Sequence, residues 1–277
     1  MKIGIQGGPL SYHEFAMNQY FGSGKKEIDY YSTFNALIRD LSQKKMDYAV
    51  IAIENTVAGS ILQNYGLIER YQVWITGEIY YHISLHLMAL DMTPIEQLEK
   101  VLSHPMALNQ AHEFLNRFPK LELVEWNDTA DAAKYVKEHN IAKTGVIAAR
   151  QVADYYGLHI LAEDIQTHSL NFTRFLILSS DRRKPDSGAN KATISFQLVS
   201  KVGALADVLQ VFKKNNINLT KIQSIPIPGK PSEYSFHVDL VWEERKNYVY
   251  AIEELTAMVK KLVIFGEYNA APIPFSS

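Results

Sequence analysis

The sequence predicts an α/β fold in two parts, and three observations support it. Strand-like and helix-like patterns alternate through the N-terminal part, an order typical of α/β architecture with a mainly parallel sheet. The C-terminal part has the order strand, helix, strand, strand, helix, strand, which is the ferredoxin-like βαββαβ arrangement. Between them, residues 179–191 are charged, contain Pro and Gly and lack a large apolar side chain, as is typical of a linker.

The N-terminal elements follow from apolar periodicity and capping signals. KIGIQG reads as a strand and residues 11–20 as a helix, with Ser11 as N-cap and Glu14 completing a capping box. A helix over residues 33–41 precedes a buried strand over residues 47–53. Pro105 is expected to open one helix through MALNQAHEFLNRF. LELVEW reads as a strand, and the helix after it is expected to be capped at residue 128 or 129.

The C-terminal elements alternate between period two and helical spacing. We predict strands at KATISFQLV, INLTKIQSIPI, EYSFHVDLVW and VIFGEY, and helices at GALADVLQVFKKN and YVYAIEELTAMVKKL.

Composition excludes several classes of function. The 277 residues carry 28 Lys+Arg and 30 Asp+Glu, a net charge of 28 − 30 = −2, which argues against a basic nucleic-acid binder or a polybasic membrane protein. The absence of Cys excludes disulfides, a thiolate nucleophile and Cys-ligated metals. The N-terminus lacks a signal-peptide pattern, and no apolar run reaches the ~18 residues of a membrane span. We therefore expect a cytoplasmic protein.

A burst of polar residues follows a buried strand in IAIENTVAGSI, residues 51–61. Glu54, Asn55 and Thr56 come directly after an apolar run. Ligands of open α/β sheets bind beyond the carboxyl ends of strands, so this position favours a site modestly over a plain capped loop.

Three other segments are candidates, each with a simpler structural explanation. GGPLS, ending at Ser11, could hold an anion, but taken alone a tight strand-to-helix turn is favoured. SHPMALNQ places Ser103 at a helix N-terminus and Gln110 further along it; alone, plain capping is favoured there. In NFTRFLIL, Arg174 could bind a carboxylate or form an internal salt bridge, and the two are evenly matched.

The histidines suggest a metal site only weakly. His82 and His86 are four residues apart in a strand-like segment and should share one face. No carboxylate nearby supplies a third ligand and HExxH is absent, so structural histidines are the better interpretation and no metal site is predicted.

Four segments together resemble the prephenate dehydratase family of the phenylalanine pathway: GPLSYHEFA, AIENTVAGSI, LSHPMALNQ and YGLHILAEDIQTHSLNFTRFLIL. They stand in the family's order. The C-terminal part resembles an ACT regulatory domain, with GALADVL in the place of the family's GAL motif. The resemblance implies a two-lobed, periplasmic-binding-protein-like catalytic domain over residues 1–180, a linker over 181–191 and a ferredoxin-like ACT domain over 192–277.

The resemblance also implies a reaction and its residues. Prephenate would lose CO2 and its ring hydroxyl to give phenylpyruvate, and no metal or redox cofactor is expected because aromatisation drives the reaction. Thr173 would donate a hydrogen bond to the departing hydroxyl; Glu54 would act as a general acid or orient Asn55 or Arg174 while ionised. The implied catalytic residues are Thr173, Glu54 and Asn55, and the implied substrate-binding residues are Arg174, Thr56, Ser103, Gln110, Asn171, Phe175 and Ser11.

The regulatory part departs from the family pattern. The family's ESRP motif reads Gln223, Ser224, Ile225 and Pro226 here. In the catalytic part, Met106 and Arg150 also depart from the family pattern. We expect inhibition by L-phenylalanine to persist but weaken. The implied effector-binding residues are Gly203, Ala204, Leu205, Gln223 and Ser224.

The implied partners are prephenate, L-phenylalanine and a second copy of the chain in a homodimer or homotetramer, with no nucleic acid and no membrane. Two alternatives stay open. One is an arogenate dehydratase, which performs the same chemistry on the amino analogue. The other is a non-catalytic amino-acid sensor built from the same modules.

Overall fold

A computed structural model describes residues 1–22, 24–182, 185, 187–199, 201–227, 229–230, 233–272 and 274; Arg183, Lys184 and Asp186 of the predicted linker lie outside the described residues. The strands are β1 (Lys2–Gln6), β2 (Glu27–Tyr31), β3 (Tyr48–Asn55), β4 (Gly59–Ser60), β5 (Trp74–His82), β6 (His86–Ala89), β7 (Lys100–Ser103), β8 (Glu122–Glu125), β9 (Thr144–Ala148), β10 (His159–Ala162), β11 (Phe172–Ser179), β12 (Lys191–Gln197), β13 (Asn218–Pro226), β14 (Tyr234–Val241) and β15 (Lys261–Tyr268). The helices are α1 (Tyr12–Phe21), α2 (Phe34–Ser42), α3 (Leu62–Tyr71), α4 (Pro105–Gln110), α5 (His112–Leu115), α6 (Thr129–Glu138), α7 (Arg150–Tyr156), α8 (Ala204–Lys214) and α9 (Arg245–Met258).

The first sheet has the strand order β2-β1-β3-β11-β5, with β4 added to β3. β1 and β2 are parallel. Residues 49–53 of β3 are all buried, as expected for a continuous apolar run covered on both faces. Ser11 caps α1 by accepting from the main-chain N–H of Glu14, which confirms the predicted helix start.

The second sheet has the order β10-β6-β9-β7-β8 and is mixed rather than mainly parallel. β7 runs parallel to β8 and β9, whereas β6 runs antiparallel to both of its neighbours, β9 and β10. β9, α7 and β10 form an ordinary crossover whose strands share one direction. β6 belongs to no such crossover, because the chain enters it directly from β5, and it therefore runs the opposite way between them.

The C-terminal sheet has the order β13-β14-β12-β15, and its strands alternate with α8 and α9 as βαββαβ. This confirms the ferredoxin-like prediction. Its core contains apolar side chains from the strands and both helices, and Trp242 stacks on Tyr248 with ring centroids 4.1 Å apart. β12 begins at Lys191, where the predicted linker ends.

Contacts divide the chain into two compact units. One contains residues 1–37, 50–61 and 80–175, and so includes the whole second sheet; the other contains residues 38–49, 62–79 and 176–277, and so includes the C-terminal sheet. Within the described ranges, no helix is long and apolar enough to cross a membrane.

Candidate active site

The predicted polar residues lie at the end of β3 and at the start of a tight hairpin turn. β3 and β4 pair with Glu54 opposite Ser60 and Asn55 opposite Gly59, and residues 56–58 make the turn between them. Gly59 has a φ of 81°, the left-handed conformation that this kind of loop requires after its turn. The side chain of Asn55 closes the turn, because its Oδ1 accepts from the main-chain N–H groups of Val57 and Ala58 at 2.9 and 2.8 Å.

Thr56 joins this turn to the start of β11. Its main-chain N–H donates to Phe172 O at 2.9 Å, and its hydroxyl donates to Leu170 O at 2.8 Å. The same hydroxyl accepts from the main-chain N–H of Phe172 at 2.9 Å. The Thr56 hydroxyl therefore holds together the two segments that carry the predicted catalytic residues.

Three side-chain amides form a cluster between these segments and α4. Asn55 Nδ2 donates to Asn171 Oδ1 at 2.8 Å, Asn171 Nδ2 donates to Gln110 Oε1 at 3.0 Å, and Gln110 Nε2 donates to Asn55 Oδ1 at 3.3 Å. Asn171 is fully buried and Gln110 nearly so, whereas Asn55 is half-buried. We call Asn55, Gln110 and Asn171 the amide cluster.

The Thr173 hydroxyl lies at the edge of the amide cluster. Asn55 Nδ2 donates to Thr173 Oγ1 at 3.0 Å, so the hydroxyl acts as an acceptor in this contact. Thr173 is half-buried, so a ligand could approach it. The hydroxyl keeps its own proton to donate elsewhere.

Glu54, which precedes Asn55, forms an ion pair with Arg174, which follows Thr173. Arg174 Nη1 lies 3.2 Å from Glu54 Oε1, with the Arg174 side chain 2% exposed and that of Glu54 27% exposed. An opposite charge at this distance favours the ionised form of a carboxyl group. The geometry therefore contains the internal salt bridge that was one of the two interpretations of Arg174.

Three other predicted substrate-binding residues are buried in local packing. The Ser103 hydroxyl donates to Ile147 O at 2.6 Å and so links β7 to β9. The Ser11 hydroxyl caps α1. The Phe175 ring meets the His13 ring edge-on at 5.0 Å, and burial lowers the pKa of His13 to about 3, which keeps that imidazole neutral. Among the described residues, the structure gives these three side chains no hydrogen bond to the amide cluster.

Helix α4 ends at Gln110, so the single helix predicted from Pro105 is two short ones. In a continuous helix the Gln110 carbonyl would accept from residue 114; instead it accepts from the main-chain N–H of Thr167 at 2.8 Å. This contact stops α4 where its last side chain joins the amide cluster. Nothing local in the sequence marks that end.

The turn at Gly7, between β1 and α1, lies against Asp128, a contact that the sequence does not predict. Asp128 caps α6, as expected, by accepting from Ala130 and Asp131 N–H groups. It also lies against the turn: a Cβ on Gly7 would be 3.3 Å from Asp128 Oδ2 and 3.3 Å from Ser11 Oγ. Burial raises the pKa of Asp128, and the helix N–H groups oppose that shift. The sequence carries no signal for this contact, because it joins distant segments.

His82 and His86 do not share a strand face, and that expectation is wrong. The chain leaves β5 at His82 and starts β6 at His86, so the two belong to different strands. His82 Nε2 lies 3.0 Å from Ser169 O, and His86 Nδ1 accepts from the main-chain N–H of Asp164 at 3.2 Å. Both rings therefore make structural contacts with the main chain.

The first group of predicted effector residues forms the start of α8. Gly203 is the N-cap with a left-handed φ of 83°, and Ala204 is the first helical residue. Leu205 packs against the core of the C-terminal sheet.

The second group lies on β13, an edge strand of the C-terminal sheet. Gln223 pairs with His237 and Ser224 with Phe236. Phe236 packs toward the core beneath the helices, so alternation puts Ser224 on that face and Gln223 on the other. The two residues therefore cannot line the same side of the sheet.

Fold and site together define a class: an α/β protein with a buried amide cluster beyond the carboxyl end of a sheet strand, followed by a ferredoxin-like module. The chain belongs to the prephenate dehydratase family, whose model, described as "Prephenate dehydratase", matches residues 3–183. The ACT domain model matches residues 192–242, so the ferredoxin-like module contains an ACT domain.

Two curated relatives resemble nearly the whole chain. A bifunctional chorismate mutase/prephenate dehydratase of Aquifex aeolicus is 34% identical over 98% of this chain and 74% of its own length. Arogenate dehydratase 5, chloroplastic, of Arabidopsis thaliana is 31% identical over 100% of this chain and 69% of its own length. This chain therefore spans 74% of the length of the first relative and 69% of the length of the second.

A solved structure has the same fold. The prephenate dehydratase of Arthrobacter aurescens in complex with L-Phe has a TM-score of 0.87 at 24% identity, covering 97% of this chain and 90% of that one. At that identity the likeness establishes the fold alone.

Proposed function

We propose that this chain is a prephenate dehydratase that converts prephenate to phenylpyruvate, CO2 and water in L-phenylalanine biosynthesis. Family membership supports the reaction. The observation that carries the proposal is the hydrogen bond from Asn55 Nδ2 to Thr173 Oγ1, 3.0 Å long. It leaves a half-buried hydroxyl oriented as a donor, which is the group that a departing hydroxyl needs.

The reaction asks for a positioned donor rather than a strong acid. The bond between the ring and its carboxylate breaks, and its electron pair enters the ring. That pair completes the aromatic ring as the ring C–O bond breaks, and the oxygen takes up one proton from the solvent and leaves as water. A Thr hydroxyl is too weak an acid to give up its proton fully. Thr173 therefore stabilises the departing oxygen by hydrogen bonding, and Asn55 orients Thr173.

Glu54 and Arg174 act as an ionised pair in this proposal. The distance of 3.2 Å between Arg174 Nη1 and Glu54 Oε1 supports the orienting role of Glu54 over the general-acid role. Arg174 supplies the positive charge for a substrate carboxylate, and Glu54 fixes the plane of the guanidinium. Ser11, Ser103 and Phe175 contribute by shaping the surrounding elements.

The ACT domain gives the chain control by L-phenylalanine. The L-Phe complex of the Arthrobacter aurescens enzyme supports that effector. We propose a cytoplasmic homodimer or homotetramer in which ACT domains pair through β13 edges or helices. Effector binding would then change substrate affinity by a coupling free energy of about 1–3 kcal/mol.

The similarity to an arogenate dehydratase favours a second candidate, the same reaction on the amino analogue. One assay separates the two. Purified chain is given prephenate or arogenate, and phenylpyruvate or phenylalanine is measured, with kcat/KM compared on both substrates. We expect the larger value on prephenate, and a lower rate once L-phenylalanine is added. A larger value on arogenate would select the second candidate, and no turnover of either would refute both.

A further inference from the structure

Asn171 lies at the centre of the amide cluster and is fully buried. We propose that Asn171 is a positioning residue: it holds the Asn55 amide in one orientation and thereby makes the Thr173 hydroxyl a donor toward substrate. The inference rests on the proposed function and replaces the substrate-binding role expected for Asn171, because both ends of its buried amide are already bonded to Asn55 and Gln110.

Main-chain contacts identify which end of the Asn55 amide is the oxygen. Val57 and Ala58 present N–H groups to one end of its amide, at 2.9 and 2.8 Å. An N–H group only donates, so that end is the oxygen. The amide nitrogen must therefore face Asn171 and Thr173.

The other two amides follow from this orientation. Gln110 also faces the Asn55 oxygen and so presents its nitrogen, at 3.3 Å. Its oxygen then faces Asn171, which presents its own nitrogen at 3.0 Å. The Asn171 oxygen is left to accept from Asn55 Nδ2 at 2.8 Å. The cluster is a closed ring in which each amide donates to the next, and turning any one over would bring oxygen against oxygen and nitrogen against nitrogen.

This ring determines which way the Thr173 proton points. Thr173 Oγ1 accepts from Asn55 Nδ2, so the hydroxyl proton cannot point at that nitrogen. That proton is therefore left for donation to a substrate that reaches the half-buried hydroxyl. Without the acceptor on Asn171, Asn55 Nδ2 loses one of its two hydrogen bonds and the amide is held less firmly. A misplaced catalytic group of this kind costs on the order of 10²-fold in rate.

Asn171→Asp tests the ring because the carboxyl group that it introduces can be ionised or protonated. The ionised carboxylate accepts from Asn55 Nδ2 but repels Gln110 Oε1, whereas the protonated carboxyl donates to Gln110 Oε1 and restores the ring. We expect kcat of Asn171→Asp, relative to wild type at the same pH, to be about 10²-fold low at neutral pH and to recover as pH falls, with KM nearly unchanged. Its melting temperature should approach that of wild type over the same range. Asn171→Ala should stay slow at every pH.

The matched control is Asn109→Asp, which adds the same charge at an exposed position of α4. Its kcat should follow wild type at each pH after subtraction of a blank without enzyme. An Asn171→Ala variant as fast as wild type, or an Asn171→Asp variant without recovery in either kcat or melting temperature, would overturn the positioning role. Inactive wild type would defeat the proposed function and this role together, whatever the melting temperatures show.

Discussion

The amide cluster and a buried ion pair, both among the described residues, differ in chemistry. The amide cluster is neutral, and each of its side chains donates to one amide and accepts from another. The ion pair is charged and joins β12 of the C-terminal sheet to β5 of the first sheet: Lys191 Nζ lies 2.8 and 2.9 Å from the two oxygens of Glu78, with both side chains buried. On the C-terminal sheet, the Thr193 hydroxyl donates to Asp239 Oδ1 at 2.6 Å.

The hydrogen bonding of the amide cluster and of the C-terminal sheet also differs. Each side chain of the amide cluster has hydrogen-bond partners at both ends of its amide. On the C-terminal sheet, His237 Nδ1 and Ser235 Oγ are buried without a hydrogen-bond partner among the described residues. A closed ring of neutral amides fixes the direction of dipoles, which suits a site that must aim one proton. In a buried ion pair, by contrast, each charge needs the other, because one charge left alone in the interior is costly.

Breaking the ion pair should have the largest effect. Glu78→Gln keeps the shape but leaves the Lys191 ammonium without its carboxylate, and we expect the free energy of unfolding to fall by about 3–5 kcal/mol. Denaturant unfolding measures this. Replacing both residues, Glu78→Leu with Lys191→Met, should recover most of the loss. The exposed pair of Lys143 and Glu99 is the control: Glu99→Gln should cost less than about 1 kcal/mol.

If Glu78→Gln and Glu99→Gln lower the free energy of unfolding by the same amount, burial does not distinguish the two ion pairs. The contrast with the neutral amide cluster then loses its basis.

Removing the Thr173 hydroxyl should have the next largest effect. Thr173→Val is nearly isosteric but cannot donate, and we expect kcat to fall by about 10²–10³-fold, or about 2.7–4 kcal/mol of transition-state stabilisation. Thr173→Ser keeps the donor and should retain more turnover. Steady-state kinetics on prephenate checks the order, and equal kcat in Thr173→Ser and Thr173→Val would refute the donor role.

The smallest effect is a pH dependence of stability in the C-terminal sheet. Burial lowers the pKa of His237 to about 4 from 6.5; Lys221 opposes its charge, and Glu69 and Asp239 favour it. Because the pKa of His237 is lower in the folded chain, the unfolded chain binds a proton first as pH falls. The stability that neutral His237 contributes is therefore fully present above pH 6.5 and is lost as pH falls toward 4. The slope is at most about 1.4 kcal/mol per pH unit.

His237→Phe keeps an aromatic ring against Phe265, on which His237 stacks at 5.6 Å, and removes the titrating group. Thermal unfolding between pH 7 and pH 5 should therefore show a shallower loss of stability in the variant than in wild type. Identical slopes in the two proteins would show that His237 does not titrate on unfolding.

Much of the fold was predictable because its signals are local. Ser11 and Asp128 are capping residues at positions their own neighbours dictate, and the βαββαβ order follows from alternating periodicities. The antiparallel direction of β6 was not predictable, since it depends on where the chain enters a sheet. The end of α4 at Gln110 was missed for the same reason: it depends on Thr167, which no helix signal anticipates.

The sequence by itself determined the polar residues Glu54 and Asn55 at the end of β3, the capped helices and the βαββαβ order of the C-terminal sheet, because these depend on residues close along the chain. Only the tertiary structure decided that Asn171 is buried in a ring with Asn55 and Gln110, and that Arg174 pairs with Glu54. Residue types tell which groups can donate or accept. Which group each one meets, and so which way the Thr173 proton points, depends on distances between segments that the folded chain alone brings together.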